Sequence, residues 1–308
     1  MFKVRCKLNT WPDDPDSDGD GYEDNIEKNM YNSDPMKSDV LKIRWDQDYI
    51  YIEGAPDSEY EKDGLKLGYG GNQSWKANSK IANPNLGEIS DFELILSKVG
   101  CGVVSAGDLL LYLAETRPEF ATSITNSVRH TENGYIEYES YIEYLKRIEE
   151  FIPMEGMIKD DKVTGGVSTI NYYSGLNYYA YINETNLCAG WNNSKELLLP
   201  RIKTMLQNDI PVPLLIGDGS KNDGVSLYRE VGPAGSQRYV LQDSNQKTCW
   251  HYVNITGLLE DHIDGKTILE ISSWGERLYI SYEDYVDYVE RRSSVGYHAN
   301  NICYIEVR

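Results

Sequence analysis

The chain has 308 residues, of which 40% are hydrophobic and 26% charged, a composition typical of a globular protein with a buried core. Its 49 acidic residues outnumber the 30 basic ones and give a net charge of −19, which argues against a nucleic-acid-binding protein because such proteins need a basic surface. No apolar run is long enough to cross a bilayer, so we expect no membrane span.

The five cysteines are sparse and have no CxxC spacing, which argues against a disulfide scaffold and against a cysteine-based metal site. An odd number leaves at least one thiol unpaired within the chain. The five are Cys6, Cys101, Cys188, Cys249 and Cys303, and Cys101 is the candidate for the unpaired thiol.

The first informative element is an acidic loop, DSDGDGYEDNIE, over residues 16–27. It fits the calcium-loop pattern D-x-[DN]-x-[DN]-G-x5-E at every fixed position. Oxygen ligands at alternate positions surround a hard cation, and Gly21 permits the sharp turn between them. The predicted Ca²⁺ ligands are Asp16, Asp18, Asp20, the carbonyl of Tyr22, Asp24 and Glu27. A solvated acidic linker is the alternative interpretation.

The residues around this loop also carry a resemblance. A short helix is predicted over about residues 24–31, and Ser33-Asp34-Pro35 follows it. This arrangement resembles the thrombospondin type 3-like calcium repeats of bacterial surface and secreted proteins. It is also similar to an EF-hand loop, although Pro12 and Pro15 exclude the preceding EF-hand helix. We therefore expect a calcium-binding repeat over residues 1–42.

The resemblance to these repeats implies an extracellular or cell-surface location. The chain begins almost inside the repeat, so we expect it to be a piece of a longer protein that could attach it to the cell surface.

Two segments, over residues 41–45 and 49–53, have the composition of strands, and residues 54–98 predict a long loop because they are rich in glycine and asparagine. Cys101 follows between two glycines, where this loop turns into an apolar helix. A thiol at a helix N-terminus faces the positive end of the helix dipole, which favours the thiolate. Cys101 is therefore a candidate nucleophile if a histidine lies beside it, and a core cysteine otherwise.

Downstream, an amphipathic helix is predicted over residues 138–151 and a loop over residues 153–194. A further helix is predicted over residues 195–207, in which Pro200 marks either a kink or the true start. From residue 211 onward strand-like segments dominate, apart from a short helix over residues 282–291. A helical first half followed by a strand-rich second half predicts an α+β fold.

A base for Cys101 must come from one of four histidines, and His251 opens an alternating strand about 150 residues later. The motifs Gly100-Cys101-Gly102, His251-Tyr252-Val253 and Ser272-Ser273-Trp274-Gly275 occur in that order. Together they resemble the papain-like cysteine peptidases, in particular their bacterial branch related to double-glycine leader peptidases. The resemblance implies a papain-like domain over residues 43–308, with the cysteine on a helical half and the histidine on an antiparallel β half. It also implies hydrolysis of a peptide or protein substrate by a Cys101–His251 dyad.

Two positions depart from the family's pattern. In the family an asparagine or aspartate orients the histidine, and the matching residue here is Ser272. The family's oxyanion-binding glutamine lies shortly before the cysteine, where this chain has Ile95, so Gln73 is the candidate replacement. Losing one oxyanion donor typically costs about 10²–10³ in rate. A catalytically weak or inactive papain-like domain that acts as an extracellular binding module is therefore an alternative, and acyl transfer is another.

Overall fold

The computed structural model describes residues 14–20, 23–31, 34–47, 49–55, 58, 60–62, 64–75, 90–155, 157–159, 162–217, 223–230, 241–261, 266–292 and 298–307. Helix α1 (Asp24–Ile26) continues as a π-helical turn over Glu27–Tyr31. The later helices are α2 (Asp91–Val99), α3 (Cys101–Thr116), α4 (Tyr138–Glu149), α5 (Thr169–Ile182), α6 (Leu198–Gln207) and α7 (Tyr282–Glu290).

The strands of the first half are short. They are β1 (Val40–Lys42), β2 (Tyr51–Glu53), β3 (Glu61–Lys62), β4 (Leu65–Tyr69), β5 (Ile136–Glu137), β6 (Met157–Lys159) and β7 (Lys162–Thr164). The second half contains longer ones, which are β8 (Leu187–Trp191), β9 (Val212–Ile216), β10 (Val225–Glu230), β11 (Leu241–Thr248), β12 (His251–Asp261), β13 (Lys266–Ser273), β14 (Glu276–Ser281) and β15 (Asn301–Val307).

The largest sheet is antiparallel and has the order β11-β10-β14-β13-β12-β9-β15-β8, with β1 also paired to β12. A smaller sheet has the order β3-β4-β2-β5, and β6 pairs with β7. The helical segment from α2 to α5 therefore precedes a large antiparallel sheet. The predicted α+β fold is confirmed.

Helix α3, hereafter the cysteine helix, is the centre of the core. Its residues from Cys101 to Leu113 are all buried, as the dense apolar run predicted. It packs against β12, where Ser105 Oγ donates to Asn254 Oδ1 over 2.8 Å and Asn254 Nδ2 donates to the Ser105 carbonyl over 2.9 Å. This reciprocal pair fixes the helix along the strand that begins with His251.

Two stretches predicted as loops contain regular structure. Residues 54–98 include β3, β4 and α2, and α2 begins with a reciprocal capping box between Ser90 and Glu93. Residues 153–194 include α5 and β8. The loop prediction failed at α5 because this helix shows almost no apolar–polar periodicity, having large apolar side chains such as Ile170 and Tyr181 on its exposed side.

The end of the predicted calcium repeat belongs to the large sheet, because Leu41 of β1 pairs with Leu258 of β12. Pro200 lies in the first turn of α6, so it marks the start of that helix rather than a kink. Among the described residues no single helix is long and apolar enough to span a bilayer. Helices α2 and α3 would reach that length only as a pair, and they turn by 92° between them.

Candidate functional site

The four residues predicted as catalytic, Gln73, Cys101, His251 and Ser272, line one cavity. The cavity lies between the start of the cysteine helix, the loop over residues 70–75, and strands β12 and β13. Its volume is about 10 Å³, close to the space needed for one water molecule. The other lining residues are Gly71, Val104, Ser105, Asp108, Tyr252, Val253, Asn254, Ser273 and Trp274.

The Cys101 sulfur lies against the backbone on both sides of His251. Its thiol donates to the Trp250 carbonyl, with Sγ 4.0 Å from the oxygen, and the Tyr252 N–H donates to the sulfur. Cys101 is buried, and this burial raises the pKa of its thiol, while backbone N–H donors oppose the change. The expectation that the helix N-terminus favours a thiolate therefore fails for the resting protein, because desolvation outweighs the backbone donors.

His251 is held by two contacts. Its Nε2 lies 2.8 Å from Ser273 Oγ, and its ring stacks on Trp274 with centroids 4.3 Å apart and planes inclined by 16°. Burial lowers the pKa of His251 to about 3, so the imidazole is neutral near pH 7. Because Nε2 is occupied by Ser273, Nδ1 is the ring nitrogen left for a reacting partner.

The hydrogen bond to the imidazole comes from Ser273 and not from Ser272, the residue predicted to orient it. Ser272 Oγ instead donates to the Tyr69 carbonyl over 2.8 Å. Successive side chains of a strand point to opposite sides, so two adjacent serines cannot both meet the same ring. The hydrogen bond that the family's pattern assigned to position 272 is therefore made by the next residue, Ser273.

Trp274 reaches His251 because of the turn between β13 and β14. Ser273 pairs with Glu276, and the two residues between them have positive φ, 52° at Trp274 and 75° at Gly275. Two positive φ values in a two-residue hairpin define a type I′ turn, which strongly favours small residues. A tryptophan in this conformation is strained, and such strain is common at functional sites.

The loop over residues 70–75, hereafter the glutamine loop, presents Gln73 to the cavity. The Gly70 N–H donates to the Ile50 carbonyl, and the Gly275 N–H donates to the Gly71 carbonyl, both over 3.0 Å. Trp75 closes the loop and is buried. A Cβ on Gly70 would lie 2.3 Å from Ser272 Oγ, so only glycine allows the backbone to approach this closely.

Asp108 is a lining residue that the sequence analysis did not select. It is buried in the cysteine helix, seven positions after Cys101, which places both residues on one helix face. Its Oδ2 accepts the Gly71 N–H over 2.8 Å and its Oδ1 accepts the Tyr141 hydroxyl over 2.6 Å. Burial raises the pKa of Asp108 to about 7. The available signal was an acid in the middle of the apolar run of the cysteine helix, whose other acid, Glu115, lies near its C-terminal end.

The acidic loop forms a candidate metal site apart from this cavity. Carboxylate oxygens of Asp16, Asp18 and Asp20 all lie within 4.8 Å of one another, so this partly exposed triad could bind a metal ion. Burial and the charge of Asp20 raise the pKa of Asp18 to about 6. Asp18 Oδ2 is buried and has no hydrogen-bond partner among the described residues. An oxygen-only donor set of this kind fits a hard divalent cation.

Two further predicted ligands have distinct positions. Glu27 is buried, and carboxylate oxygens of Glu27, Asp20 and Asp39 lie within 4.8 Å of one another. The Asp39 N–H also donates to Asp20 Oδ2 over 2.7 Å. Asp24 lies in neither carboxylate group, because its two oxygens accept the N–H and the hydroxyl of Ser17, each over 2.7 Å. Tyr22, predicted to bind through its carbonyl, lies outside the described residues.

No protein family matches this chain, and no curated protein or solved structure matches it either. What can be inferred about function therefore comes from the residues and geometry of the cavity and of the acidic loop.

Proposed function

We propose that the chain is a papain-like cysteine peptidase that hydrolyses peptide bonds in a peptide or protein substrate, within a secreted or surface bacterial protein. The main support is the convergence of Gln73, Cys101 and His251, from three distant parts of the chain, on one cavity. The cysteine opens a buried helix and the histidine opens a strand of an antiparallel sheet, which agrees with the pattern of that family.

In the first step the neutral imidazole of His251 acts as a general base. Its Nδ1 accepts the Cys101 thiol proton while the sulfur attacks the carbonyl carbon of the scissile bond. This step requires the tautomer in which Nε2–H donates to Ser273 Oγ. Since burial keeps both groups neutral at rest, proton transfer accompanies the attack and does not precede it.

The attack converts the carbonyl oxygen into an oxyanion. We assign the Cys101 N–H and the Gln73 side-chain amide as the donors that stabilise it, because both residues line the cavity. The intermediate then collapses, the C–N bond breaks, and the imidazolium of His251 protonates the departing amine. Water, deprotonated by the same imidazole, hydrolyses the remaining thioester and regenerates the thiol.

Digestion of a mixture of unstructured synthetic peptides, read by mass spectrometry, tests this proposal. Cleavage by the unmodified protein that is lost in Cys101→Ser and His251→Ala supports it. Cys188→Ser is the matched control, because Cys188 is also a free thiol but lies on β8, outside the cavity. Absence of cleavage, together with no alkylation of Cys101 by iodoacetamide, would overturn the peptidase proposal.

The second candidate is a weak or inactive papain-like domain that serves as an extracellular binding module. The observation in its favour is the closure of the cavity, in which Cys101 is only 9% exposed and His251 only 6%. A substrate carbonyl can reach the sulfur only if the cavity opens. A peptide that carries an electrophilic group should react with the Cys101 thiol of a peptidase. It should not react with the same thiol in a binding module.

For the acidic loop we propose Ca²⁺ as the cation, with a structural role. Asp16, Asp18 and Asp20 would supply the first ligands, and Glu27 would add a buried carboxylate. Negative charges brought this close repel one another, and a divalent ion removes that repulsion. The spacing agrees with a calcium loop at every fixed position, which supports Ca²⁺ over Mg²⁺.

A further inference from the structure

Asp108 is a buried acid that takes no direct part in the proposed reaction. It is only 2% exposed, and it lies two helical turns below Cys101. Burying a carboxyl group costs free energy unless hydrogen bonds compensate for the lost water. Both of its oxygens are compensated, one by the Gly71 N–H and the other by the Tyr141 hydroxyl.

The first of these bonds joins the cysteine helix to the glutamine loop. Gly71 stands two positions before Gln73, and the peptide group that links it to Gly70 donates its N–H to Asp108 Oδ2. A Cβ on Gly70 would lie 2.8 Å from Asp108 Oδ2, and one on Gly71 would lie 2.0 Å from the Tyr141 hydroxyl oxygen. The loop backbone is therefore held close against the carboxylate and the phenol.

We infer that Asp108 is the positioning residue for Gln73: its carboxylate fixes the glutamine loop at the height on the cysteine helix where the Gln73 amide can meet an oxyanion formed at Cys101. This inference rests on the proposed peptidase function. A hydrogen-bond acceptor one helix turn higher or lower would hold the loop at a different height, about 5.4 Å away. Oxyanion stabilisation does not tolerate such a displacement, because its donors must lie within about 3 Å of the developing charge.

The inference predicts how Asp108 and Gln73 depend on each other. Gln73→Ala should lower kcat by about 10²–10³, the usual effect of losing an oxyanion donor. Asp108→Ala should lower kcat to a similar extent in the unmodified protein and by less than about twofold in the Gln73→Ala background, because residues that act as a unit are not additive. Asp108→Asn keeps an oxygen that can accept the Gly71 N–H, so it should retain most of the activity.

A second readout separates positioning from general damage to the fold. Iodoacetamide alkylates a thiol without forming an oxyanion. The alkylation rate of Cys101 therefore depends on the thiol and on His251 but not on Gln73. In Asp108→Ala we expect the alkylation rate of Cys101 to stay within about twofold of the unmodified protein while kcat falls. A parallel loss of both rates would assign Asp108 a purely structural role and overturn the inference.

Tyr141→Phe and Tyr144→Phe form a matched pair of controls. Each removes one buried hydroxyl between α4 and the cysteine helix, but Tyr141 donates to Asp108 whereas Tyr144 donates to the Gly107 carbonyl over 2.9 Å. We expect only Tyr141→Phe to lower kcat. Equal effects of the two variants on kcat would contradict a specific role of the Asp108 contact.

The failure of the proposed function can be recognised separately. If the unmodified protein cleaves peptides but the effects of Asp108→Ala and Gln73→Ala simply add, the inference is wrong and the peptidase stands. If the unmodified protein is inactive, amide hydrogen exchange over residues 70–75 still decides whether Asp108 holds the loop. Faster exchange in Asp108→Ala than in Tyr144→Phe supports the contact, and equal exchange overturns it.

Discussion

His251 Nε2 lies 2.8 Å from Ser273 Oγ, and this contact determines which nitrogen of the imidazole can face the Cys101 thiol. A serine hydroxyl is a shorter and weaker partner than an asparagine amide or an aspartate carboxylate. It can orient the ring of His251 in either tautomer, because a hydroxyl both donates and accepts, but it adds little electrostatic stabilisation when the ring becomes charged. The proposed peptidase should therefore depend on Ser273 for orientation more than for charge.

Ser273→Ala should lower kcat by about tenfold, since a neutral hydrogen bond contributes about 0.5–1.5 kcal/mol and 1.36 kcal/mol corresponds to a factor of ten. Ser272→Ala breaks a different bond, to the Tyr69 carbonyl. It should lower the free energy of unfolding and leave the NMR titration of the His251 ring unchanged. A change in that titration caused by Ser272→Ala and not by Ser273→Ala would contradict the assignment.

The alkylation rate of Cys101 should rise steadily with pH. Burial raises the pKa of its thiol and lowers that of His251 to about 3, so the neutral pair persists near pH 7 and thiolate forms only at alkaline pH. A preformed thiolate–imidazolium pair would instead give a rate that is already high at acidic pH. Iodoacetamide labelling followed by mass spectrometry measures this, and a rate plateau extending into the acidic range would refute the neutral pair.

Trp274→Gly should remove the ring contact on His251 and leave the turn between β13 and β14 intact. Glycine is preferred at this position of a type I′ turn, so the substitution relieves the strain of the positive φ and removes only the indole. Loss of the ring contact exposes His251 to water, which should raise its pKa from about 3 toward its ordinary value of 6.5. Titration of the ring signals by NMR measures the change, and an unchanged midpoint would show that the indole does not shield the imidazole.

Gly275→Ala is the opposite substitution in the same turn. It places a side chain at a φ of 75°, and the new Cβ would lie 2.5 Å from the Trp75 ring. We expect a loss of about 1 kcal/mol or more in the free energy of unfolding, because strain and overpacking both act there. Thermal unfolding measures this loss, and a stability equal to that of the unmodified protein would contradict the expectation.

The sequence was sufficient for those parts of the site that lie on strongly patterned elements. The cysteine helix is a dense apolar run behind two glycines, and β12 alternates regularly from His251 onward, so both elements were predicted. The choice between Ser272 and Ser273 could not be made in this way. It depends on which face of β13 meets the imidazole, and that is fixed by the pairing of β13 with β12 and β14.

Asp108 escaped the sequence analysis for a different reason. Its importance comes from the glutamine loop, which is separated from it along the chain and approaches only in the folded protein. Similarly, Asp24 fits a ligand position in the calcium-loop pattern, but two hydrogen bonds from Ser17 engage its oxygens. A spacing pattern indicates which residues can reach a common point, and competing partners then decide which of them do.

Calcium should stabilise the protein, and the gain should diminish at low pH. Ligand binding to the folded state contributes about 2.7 kcal/mol when the free ion reaches 100 times its dissociation constant. Asp18→Asn and Glu27→Gln should each remove much of the increase in melting temperature. Asp14→Asn is the matched control, since Asp14 is an exposed acid beside the loop and belongs to neither carboxylate group. An equal loss in all three variants would indicate a general effect of charge.

The pH dependence follows from Asp18. Because its pKa is raised from 3.8 to about 6, the folded protein without the cation binds a proton that the unfolded chain has already released in this range. Its stability should therefore fall as the pH rises from 4 through 6. Calcium needs the carboxylate form, so its stabilising effect should grow over the same range and be largely lost at about pH 5. Melting curves with calcium and with EDTA across this range measure both slopes, and parallel slopes would exclude Asp18 as a ligand.

Chelation should lower stability more than activity, because of where the acidic loop joins the sheet. Asp39 accepts the Glu260 N–H through its carbonyl and leads into β1, which pairs with β12 at residues 257–259. The other end of β12, which carries His251, is held by β9, where His251 pairs with Ile216. Loss of the cation should therefore release one edge of the strand, while the end that carries His251 stays paired. We expect EDTA to lower the melting temperature while kcat, measured well below that temperature, changes by less than about twofold. A loss of kcat parallel to the loss of stability would show that the calcium loop controls the position of His251.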